Sequence, residues 1–262
     1  MPPAVSLITV YYNMPEDLLR LARSIRKFLH PDLYEHIIVD NASQENLSAE
    51  LSGALYTRLD SNEGFGRACN HGAGKASAPA LFFVNPDCEL VEDCVTPLLA
   101  ALQRTAVCGP RVIYPDGALQ LSFGPFLSIR NEALQRRRML EERSPSVQSW
   151  IRQQGAFEPD YVSGCALMVR ADVFRQAGGF DKNFFLYHED VDLCKRIREL
   201  GHHVLYTPST SIVHEKNRSV QKTPDRVRVE YRKSQLYYYK KHHGWLQNAI
   251  LRLYLAGSRK GV

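Results

Sequence analysis

The chain has 262 residues, of which 44% are hydrophobic and 23% charged, with a formal net charge of +5. These values suit one large folded domain, or one with a small appendage, and exclude global disorder. No run of about 18 uncharged apolar residues occurs, so no membrane-spanning helix is expected. The six cysteines stand singly, without a Cys-x-x-Cys pair, which argues against a zinc or disulfide framework and for reduced, buried thiols in a cytoplasmic protein.

In chain order, Met1–Val10 carries no basic residue ahead of its apolar stretch, so Val5–Tyr11 reads as a buried first strand and not as part of a signal peptide. Leu18, Ala22, Ile25 and Leu29 recur at helical spacing, and His30-Pro31 stops that helix. Ile37–Val39 predicts a second strand, Tyr56–Leu59 a short third, Arg67–Lys75 a helix and Ala80–Val84 a buried strand. Val91–Arg104 has a helical pattern that must take Pro97 into its first turns or kink there. The alternation predicts an α/β fold with a mostly parallel central sheet and helices on both faces. Ligands of such sheets bind beyond the carboxyl ends of the strands. Polar residues stand at those ends: Asn13, Asp40-Asn41 and Asn85-Pro86-Asp87.

The second half is less regular. Tyr114-Pro115-Asp116-Gly117 is a turn. Arg130–Gln154 is charged and helical in pattern without a strong apolar face, which suits a lid or an exposed helix. Tyr161–Val169 reads as one strand with a glycine in it, Asp190–Leu200 as an amphipathic helix stopped by Gly201, and Val204–Tyr206 and Ile212-Val213 as short strands. Two helical segments close the chain, at about Asp225–Lys241 and Trp245–Leu255.

Several residues carry chemistry, each with a plainer alternative. Asp40 can accept bonds from a nucleobase or a ribose, or can cap the next helix. Asn62-Glu63-Gly64-Phe65-Gly66 lets backbone approach a phosphate, although it is neither a Walker loop nor Gly-x-Gly-x-x-Gly, or it is a plain turn. Asp87 can hold a divalent cation at a strand end, while Asn-Pro-Asp also favours a turn by itself. Of Glu189, Asp190 and Asp192, one in a cleft could take a proton from an attacking hydroxyl, whereas acidic residues in a first helical turn also serve the helix dipole. His214, after Ile212-Val213, is a metal ligand or a structural histidine.

The order of these signals resembles family 2 glycosyltransferases with the GT-A fold, especially rhamnosyltransferase-like bacterial members. The matching stretches are VSLITVYYN (5–13), IIVDNAS (37–43), NEGFGRACNHG (62–72), LFFVNPD (81–87), VSGCALMVR (162–170), GGFDKNFFLYHEDVDLCKRIRELG (178–201) and LYTPSTSIVH (205–214). The resemblance covers about residues 5–220, and 178–201 is its most specific part. It implies a GT-A catalytic domain over 1–220, divided into a nucleotide-sugar half (1–110) and an acceptor half (111–220), with a basic helical tail over 221–262. It further implies that Tyr11, Asn13, Asp40, Asn62, Gly64, Arg67, Asn85 and Asp87 bind the nucleotide. Asp87 and His214 would hold Mg²⁺ or Mn²⁺, Glu189 and Gly164 would meet the acceptor, and Asp190 would be the catalytic base. One departure is that Asn85 stands where many GT-A enzymes begin Asp-x-Asp, so Asp87 carries the metal with help from His214 and the phosphates.

The implied reaction is an inverting transfer of a sugar from a nucleoside diphosphate to an acceptor hydroxyl. The resemblance leans toward dTDP-L-rhamnose and a cell-surface polysaccharide or lipopolysaccharide, with lipid-linked acceptors among the options. Rival readings are a nucleotidyltransferase and a non-catalytic binder of sugar nucleotides or nucleic acid. The tail, with twelve Lys or Arg and only Asp225 and Glu230 as acids from Lys216 onward, suggests an anionic partner. An anionic membrane surface at the inner face of the cytoplasmic membrane suits it, with Trp245, Leu246, Ile250, Leu251, Tyr254 and Leu255 as an apolar set, and nucleic acid is not expected.

Overall fold

The first strand, β1 (Val5–Tyr11), is buried at every position, the signature of a strand covered on both faces. In the computed structural model, which describes residues 2–215 and 224–257, it lies inside an eight-stranded sheet. Helix α1 (Pro15–Phe28) opens with proline in its first turn and turns Leu18, Leu21, Ala22 and Ile25 inward. Strands β2 (Tyr34–Asp40) and β3 (Leu55–Arg58) add to one flank of β1 in parallel. After α2 (Phe65–Ala73), β4 (Ala80–Val84) pairs in parallel with the other flank.

The chain continues through β5 (Cys88–Leu90), α3 (Val95–Leu102), β6 (Val107–Ile113) and the two-residue β7 (Phe123–Gly124). Helices α4 (Ile129–Leu140) and α5 (Pro145–Gln153) precede β8 (Tyr161–Val162), which pairs only with β7. Then come β9 (Ala166–Arg170), α6 (Ala171–Gln176), α7 (Glu189–Glu199), β10 (Val204–His214), α8 (Pro224–His242) and α9 (Gly244–Gly257). The strand order is β3-β2-β1-β4-β9-β6-β10-β5. Six of the eight strands run one way, and only β9 and β5 oppose their neighbours.

Successive residues divide between the two faces, as strand geometry requires. Leu7 and Phe82 pack with Leu21 and Ile25 of α1 and Leu98 of α3. Ile8 and Phe83 pack with Cys69 of α2, Phe174 of α6 and Leu193 of α7. The mostly parallel sheet with helices on both faces is therefore as expected.

Several elements differ from the sequence reading. Val91–Arg104 is not one helix: α3 begins only at Val95, with Asp93 accepting from the backbone N–H groups of Val95 and Thr96, and Pro97 sits in the first turn. Tyr161–Val169 is two strands in two sheets, because Val162 pairs with Phe123 while Ala166 pairs with Val84, leaving Ser163-Gly164-Cys165 as the turn between them. Val204–His214 is one strand with an irregularity between Thr207 and Ser211 that keeps both ends paired to β6. The charged segment is two helices, α4 and α5, and Val147 and Ile151 of α5 join the core. The expected 110/111 division falls inside β6, so the two halves share one sheet. The 220/221 boundary lies outside the described residues.

The closing helices are packed, not loose. Tyr238, Tyr239 and Leu251 form a cluster with Leu127, Phe184 and Val191 of the preceding chain. This turns Tyr238 and Tyr239 inward.

Helix α2 lies so close to the sheet that one position has no room for a side chain. A Cβ at Gly72 would fall 2.5 Å from Ile8 Cγ2 and 3.2 Å from Val39 Cγ2, both on strands. Gly72→Ala should therefore destabilise the fold by about 1–3 kcal/mol, the usual range for overpacking. Urea unfolding of both proteins measures it, and an unchanged midpoint would show that α2 can lift away freely.

Candidate active site

A cleft of about 1320 Å³ opens where the parallel strands end, bounded by α4, the head of α7 and part of α8 and α9. It exceeds the roughly 300–1,000 Å³ of typical small-molecule sites, so it has room for two substrates. Its lining joins Tyr12, Asn13, Asn41, Asn62 and Gly64 on one side to Asn85, Asp87, Gly164, Glu189, Asp190 and His214 on another.

One wall of the cleft is held by asparagines. Asn13 has a left-handed backbone (φ 53°), a conformation asparagine tolerates. Its side-chain oxygen accepts from Gln44 N at 2.8 Å, and its N–H donates to Ser43 Oγ. Asn41 donates to Asn62 Oδ1 and Gly64 O and accepts from Glu63 N. Gly64 (φ 88°) faces the carbonyl of Phe185 too closely for any side chain, and the next N–H, of Phe65, donates to that carbonyl at 2.9 Å.

Asp87 and His214 meet at a second corner. β5 runs antiparallel to the end of β10, with His214 opposite Cys88. His214 Nε2 lies 3.3 Å from Asp87 Oδ1, and His214 Nδ1 lies 3.0 Å from Gln120 Oε1. Burial disfavours a charged ring, but Cys165 and Asp87 outweigh it and raise the His214 pKa to about 10. A divalent cation would displace that proton. Beside them Asn85 Oδ1 is buried without a hydrogen-bond partner. Ligand atoms of Asp87, Cys88 and His214 all lie within 4.8 Å of one another. A carboxylate, an imidazole and an unpartnered amide oxygen fit a divalent ion.

The third feature is the start of α7. Tyr187 (φ 69°) and His188 (φ 66°) are both left-handed, a strained conformation for bulky residues, and they turn the chain sharply into the helix. His188 is buried against Tyr231, with ring centroids 4.8 Å apart, and burial lowers its pKa to about 3, so the ring is neutral. The three acids that follow have different surroundings. Asp192 is bound by Arg196 (2.8 Å), Lys241 (2.6 Å) and His242 (2.8 Å). Burial works against its ionisation, but the hydrogen bond to His242 and the charges of Arg196 and Lys241 hold its pKa below the ordinary value. Asp192 is thereby committed to structure. Glu189 is buried with Oε2 unpartnered, and burial together with the charge of Asp190 raises its pKa to about 8. Asp190 faces the cleft, with Gly164 N donating to Oδ2 at 2.7 Å and Val191 N to Oδ1 at 2.8 Å. Burial raises its pKa, and those two N–H bonds oppose the shift. A carboxylate oriented in this way, with lone pairs left over, can accept a proton from a bound hydroxyl.

Of the residues expected to bind a nucleotide, Asn13, Asn62, Gly64, Asn85 and Asp87 line this cleft, and Tyr11, Asp40 and Arg67 do not. Asp40 lies wholly buried, accepting from Ser43 N (2.7 Å) and Tyr56 OH (2.8 Å), with Arg58 Nη1 at 3.4 Å. Tyr11 is buried beside it, and Tyr12 takes its place in the lining. Arg67 projects into a separate shallow depression with Lys75 and Lys182, its Nε donating to Lys182 O. Cleft residues that the sequence reading missed include Cys165, Arg136, Arg143, Arg226, Arg232 and Tyr231. The lack of an apolar face on α4 was the one available signal, since its charges partly face the cleft.

The family described as Glycosyl transferase family 2 matches residues 6–174. A Mycobacterium tuberculosis protein named N-acetylglucosaminyl-diphospho-decaprenol L-rhamnosyltransferase is 30% identical over 218 residues, which is 75% of this chain and 70% of that protein. The O-antigen biosynthesis protein RfbC of Myxococcus xanthus is 26% identical over 83% of this chain, although the match spans only 18% of that protein. Among solved structures, GalNAc-T7 with UDP, GalNAc and Mn²⁺ superposes with a TM-score of 0.62 at 19% identity, covering 81% of this chain and 44% of that one, a likeness of fold.

The buried Glu189 makes stability depend on pH. Unfolded, it titrates near its ordinary value of 4.5; folded, near 8. Between those values the folded protein holds an extra proton, so the contribution of this group to stability falls as pH rises through that window. Glu189→Gln keeps the shape but cannot ionise. Its urea midpoint should decline less than that of wild type from about pH 5 to about pH 9. Parallel declines would mean that Glu189 is ionised in the folded protein at neutral pH.

Proposed function

This chain belongs to glycosyl transferase family 2, and on that premise we propose that it moves a sugar from a nucleoside diphosphate to an acceptor hydroxyl with inversion. The observation that carries the reading is Asp190: a desolvated carboxylate, oriented by two backbone N–H groups, in a cleft that also holds Asp87 and His214. The nucleoside would lie along Asn13, Asn41, Asn62 and Gly64, and the diphosphate beside Asp87 and His214. Asp40 would support that wall from beneath through Ser43 and Tyr56. The acceptor hydroxyl would sit near Gly164 and Glu189, give its proton to Asp190 and attack the anomeric carbon as the nucleoside diphosphate leaves from the opposite face. A bound Mg²⁺ or Mn²⁺, held by Asp87 and His214, would neutralise the charge that grows on the leaving phosphate.

The donor is proposed to be dTDP-L-rhamnose and the acceptor a lipid-linked glycan of cell-surface polysaccharide or lipopolysaccharide synthesis. The printed names of the mycobacterial and Myxococcus relatives support this. The cleft lining also suits an amphipathic substrate, since it includes Ile129, Met139, Leu140 and Ile250 as well as Arg136, Arg143, Arg226 and Arg232. Among the described residues no helix is long and apolar enough to cross a membrane. Trp245 (81% exposed), Leu246 and Leu253 nevertheless stand out on α9, which supports peripheral attachment to the inner face of the cytoplasmic membrane. Of the tail set, Leu251 is buried and Leu255 packs inward. The side chain of Tyr254 and the cations Lys216, Arg218, Lys222, Arg259 and Lys260 lie outside the described residues.

Asp190→Asn should retain the fold and nucleotide binding while transfer falls by about 10²- to 10⁴-fold, the span typical of a lost general base. Single-turnover transfer from a labelled sugar nucleotide measures it, and retention of more than about a tenth of the wild-type rate would remove Asp190 from that role. The membrane reading is tested by flotation. The protein should rise with anionic vesicles at low salt, stay down with neutral ones and be released by salt, because each surface cation contributes about 1 kcal/mol. Failure to float with anionic vesicles would point to an acceptor presented in solution.

A further inference from the structure

His188 stands at the head of α7, two residues ahead of Asp190, and lines the cleft. We propose that it is a substrate-binding residue: its Nε2 hydrogen-bonds a ring hydroxyl of the accepting sugar, beside the hydroxyl whose proton Asp190 takes, so that this side chain helps to select the acceptor. The inference rests on the reading of Asp190 as the base and names what holds the acceptor next to it.

The first observation is the backbone. Tyr187 and His188 are both left-handed, which crowds a Cβ against its own main chain. Elsewhere the described chain mostly gives this conformation to glycine, as at Gly53, Gly117 and Gly201. A turn that needed only the shape would be met by glycine with less strain. A histidine held here points to a use for its side chain, because such strain persists only where the surroundings over-determine it. Those surroundings are present. Tyr231 of α8 packs against both residues, its ring centroid 4.8 Å from that of His188 and 5.5 Å from that of Tyr187. The His188 carbonyl accepts from Asp192 N at 2.9 Å, so main chain and ring are both fixed.

The second observation is the polar atom that this ring carries. His188 is only 9% exposed, and its Nε2 is buried without a hydrogen-bond partner. A buried polar atom in that state bears its full desolvation penalty, which a hydroxyl brought by a ligand would remove. Glu189 Oε2, in the same cleft lining, is orphaned as well. Two unpartnered groups beside a carboxylate fit a ligand with several hydroxyls, because each hydroxyl both donates and accepts. Burial, with the nearby charge of Arg232, keeps the imidazole neutral. The ring is therefore no counter-ion for a phosphate, and its hydrogen bond suits an uncharged partner.

The neighbours of the ring separate it from the nucleotide. His188 packs with Tyr231 and Tyr238 of α8. The asparagine wall is built from other contacts, with Asn13 bonded to Ser43 and Gln44 and Asn41 to Asn62, Glu63 and Gly64. His188 accordingly belongs with the acceptor, and the wall with the donor.

Histidine-ring nitrogen NMR on the full-length protein tests this. The probes are dTDP and the octyl glycosides of glucose, galactose, N-acetylglucosamine and rhamnose. The His188 Nε2 resonance is assigned by its loss in His188→Gly, a variant that keeps the left-handed turn and should keep or raise the urea midpoint. If that variant does not fold, His188→Asn replaces it, since asparagine also tolerates the conformation. At least one glycoside should shift the resonance, and dTDP alone should not. His188→Gly should weaken binding of that glycoside roughly 3- to 10-fold, the worth of one neutral hydrogen bond. Removing one ring hydroxyl from the glycoside should cost wild type the same factor and cost His188→Gly nothing more, as a directly coupled pair requires. Glycoside binding without a shift, or equal losses in both proteins for every deoxy analogue, would overturn the contact. So would a resonance moved by dTDP and by no glycoside, which would assign the ring to the donor, or one moved by no probe, which would mean that buried water satisfies it. A glycoside that shifts His188 yet is never glycosylated from a labelled sugar nucleotide would instead sink the transfer reading and leave the sugar subsite standing.

Discussion

A strand that runs against its neighbours presents its beginning where they present their ends. β9 lies between β4 and β6 and is antiparallel to both, so Gly164 and Cys165, at its start, arrive at the cleft edge of the sheet. From there the N–H of Gly164 orients Asp190, and the carbonyl of Cys165 accepts from Asn85 and Cys88. One reversed strand thus joins the corner that holds Asp87 to the helix that carries Asp190. β5 repeats the device at the sheet margin, where its reversal sets Cys88 opposite His214. A wholly parallel sheet would have carried these turns to the far side of the protein.

Within one turn of α7, depth and neighbours sort three carboxylates. Asp192 sinks among Arg196, Lys241 and His242 and serves as an anchor. Glu189 sinks without a cation and is driven toward its neutral form. Among the described residues, Asp190 is met only by backbone N–H groups in the hydrogen bonds of its carboxylate, so these orient it without a side-chain cation. A neutral Glu189 next to it also limits repulsion that would otherwise push the Asp190 proton affinity higher still.

Much of this was legible in the sequence, for physical reasons. Buried strands such as Val5–Tyr11 and Ala80–Val84 are written as apolar runs, and the rule that ligands sit at strand ends located Asn13, Asn85 and Asp87. What periodicity cannot give is the direction of a side chain at such an end. Asp40 ends its strand as expected, yet its carboxylate turns to Ser43 and Tyr56 because the following residues fold back over it. Arg67 lies on the predicted helix but on the face that meets Lys182. The two-sheet split of Tyr161–Val169 depends on the distant partner Phe123, and the proximity of Cys88 to His214 depends on register; neither leaves a local signal.

The ion pairs of Asp192 also bear on modularity. Lys241 and His242 belong to the closing helix α8, yet their partner lies two residues beyond Asp190. Asp181, just after Gly178-Gly179-Phe180, shares Lys241 as well. The C-terminal region is therefore not an appendage that can be exchanged to retarget the protein. A chimera that borrowed this region from a relative would leave a buried aspartate short of the Lys241 charge and the His242 hydrogen bond, at the base of the turn on which Asp190 is mounted. Segments grafted at this point must bring a cation and a histidine in the same helical register, or be matched by a neutral residue in place of Asp192.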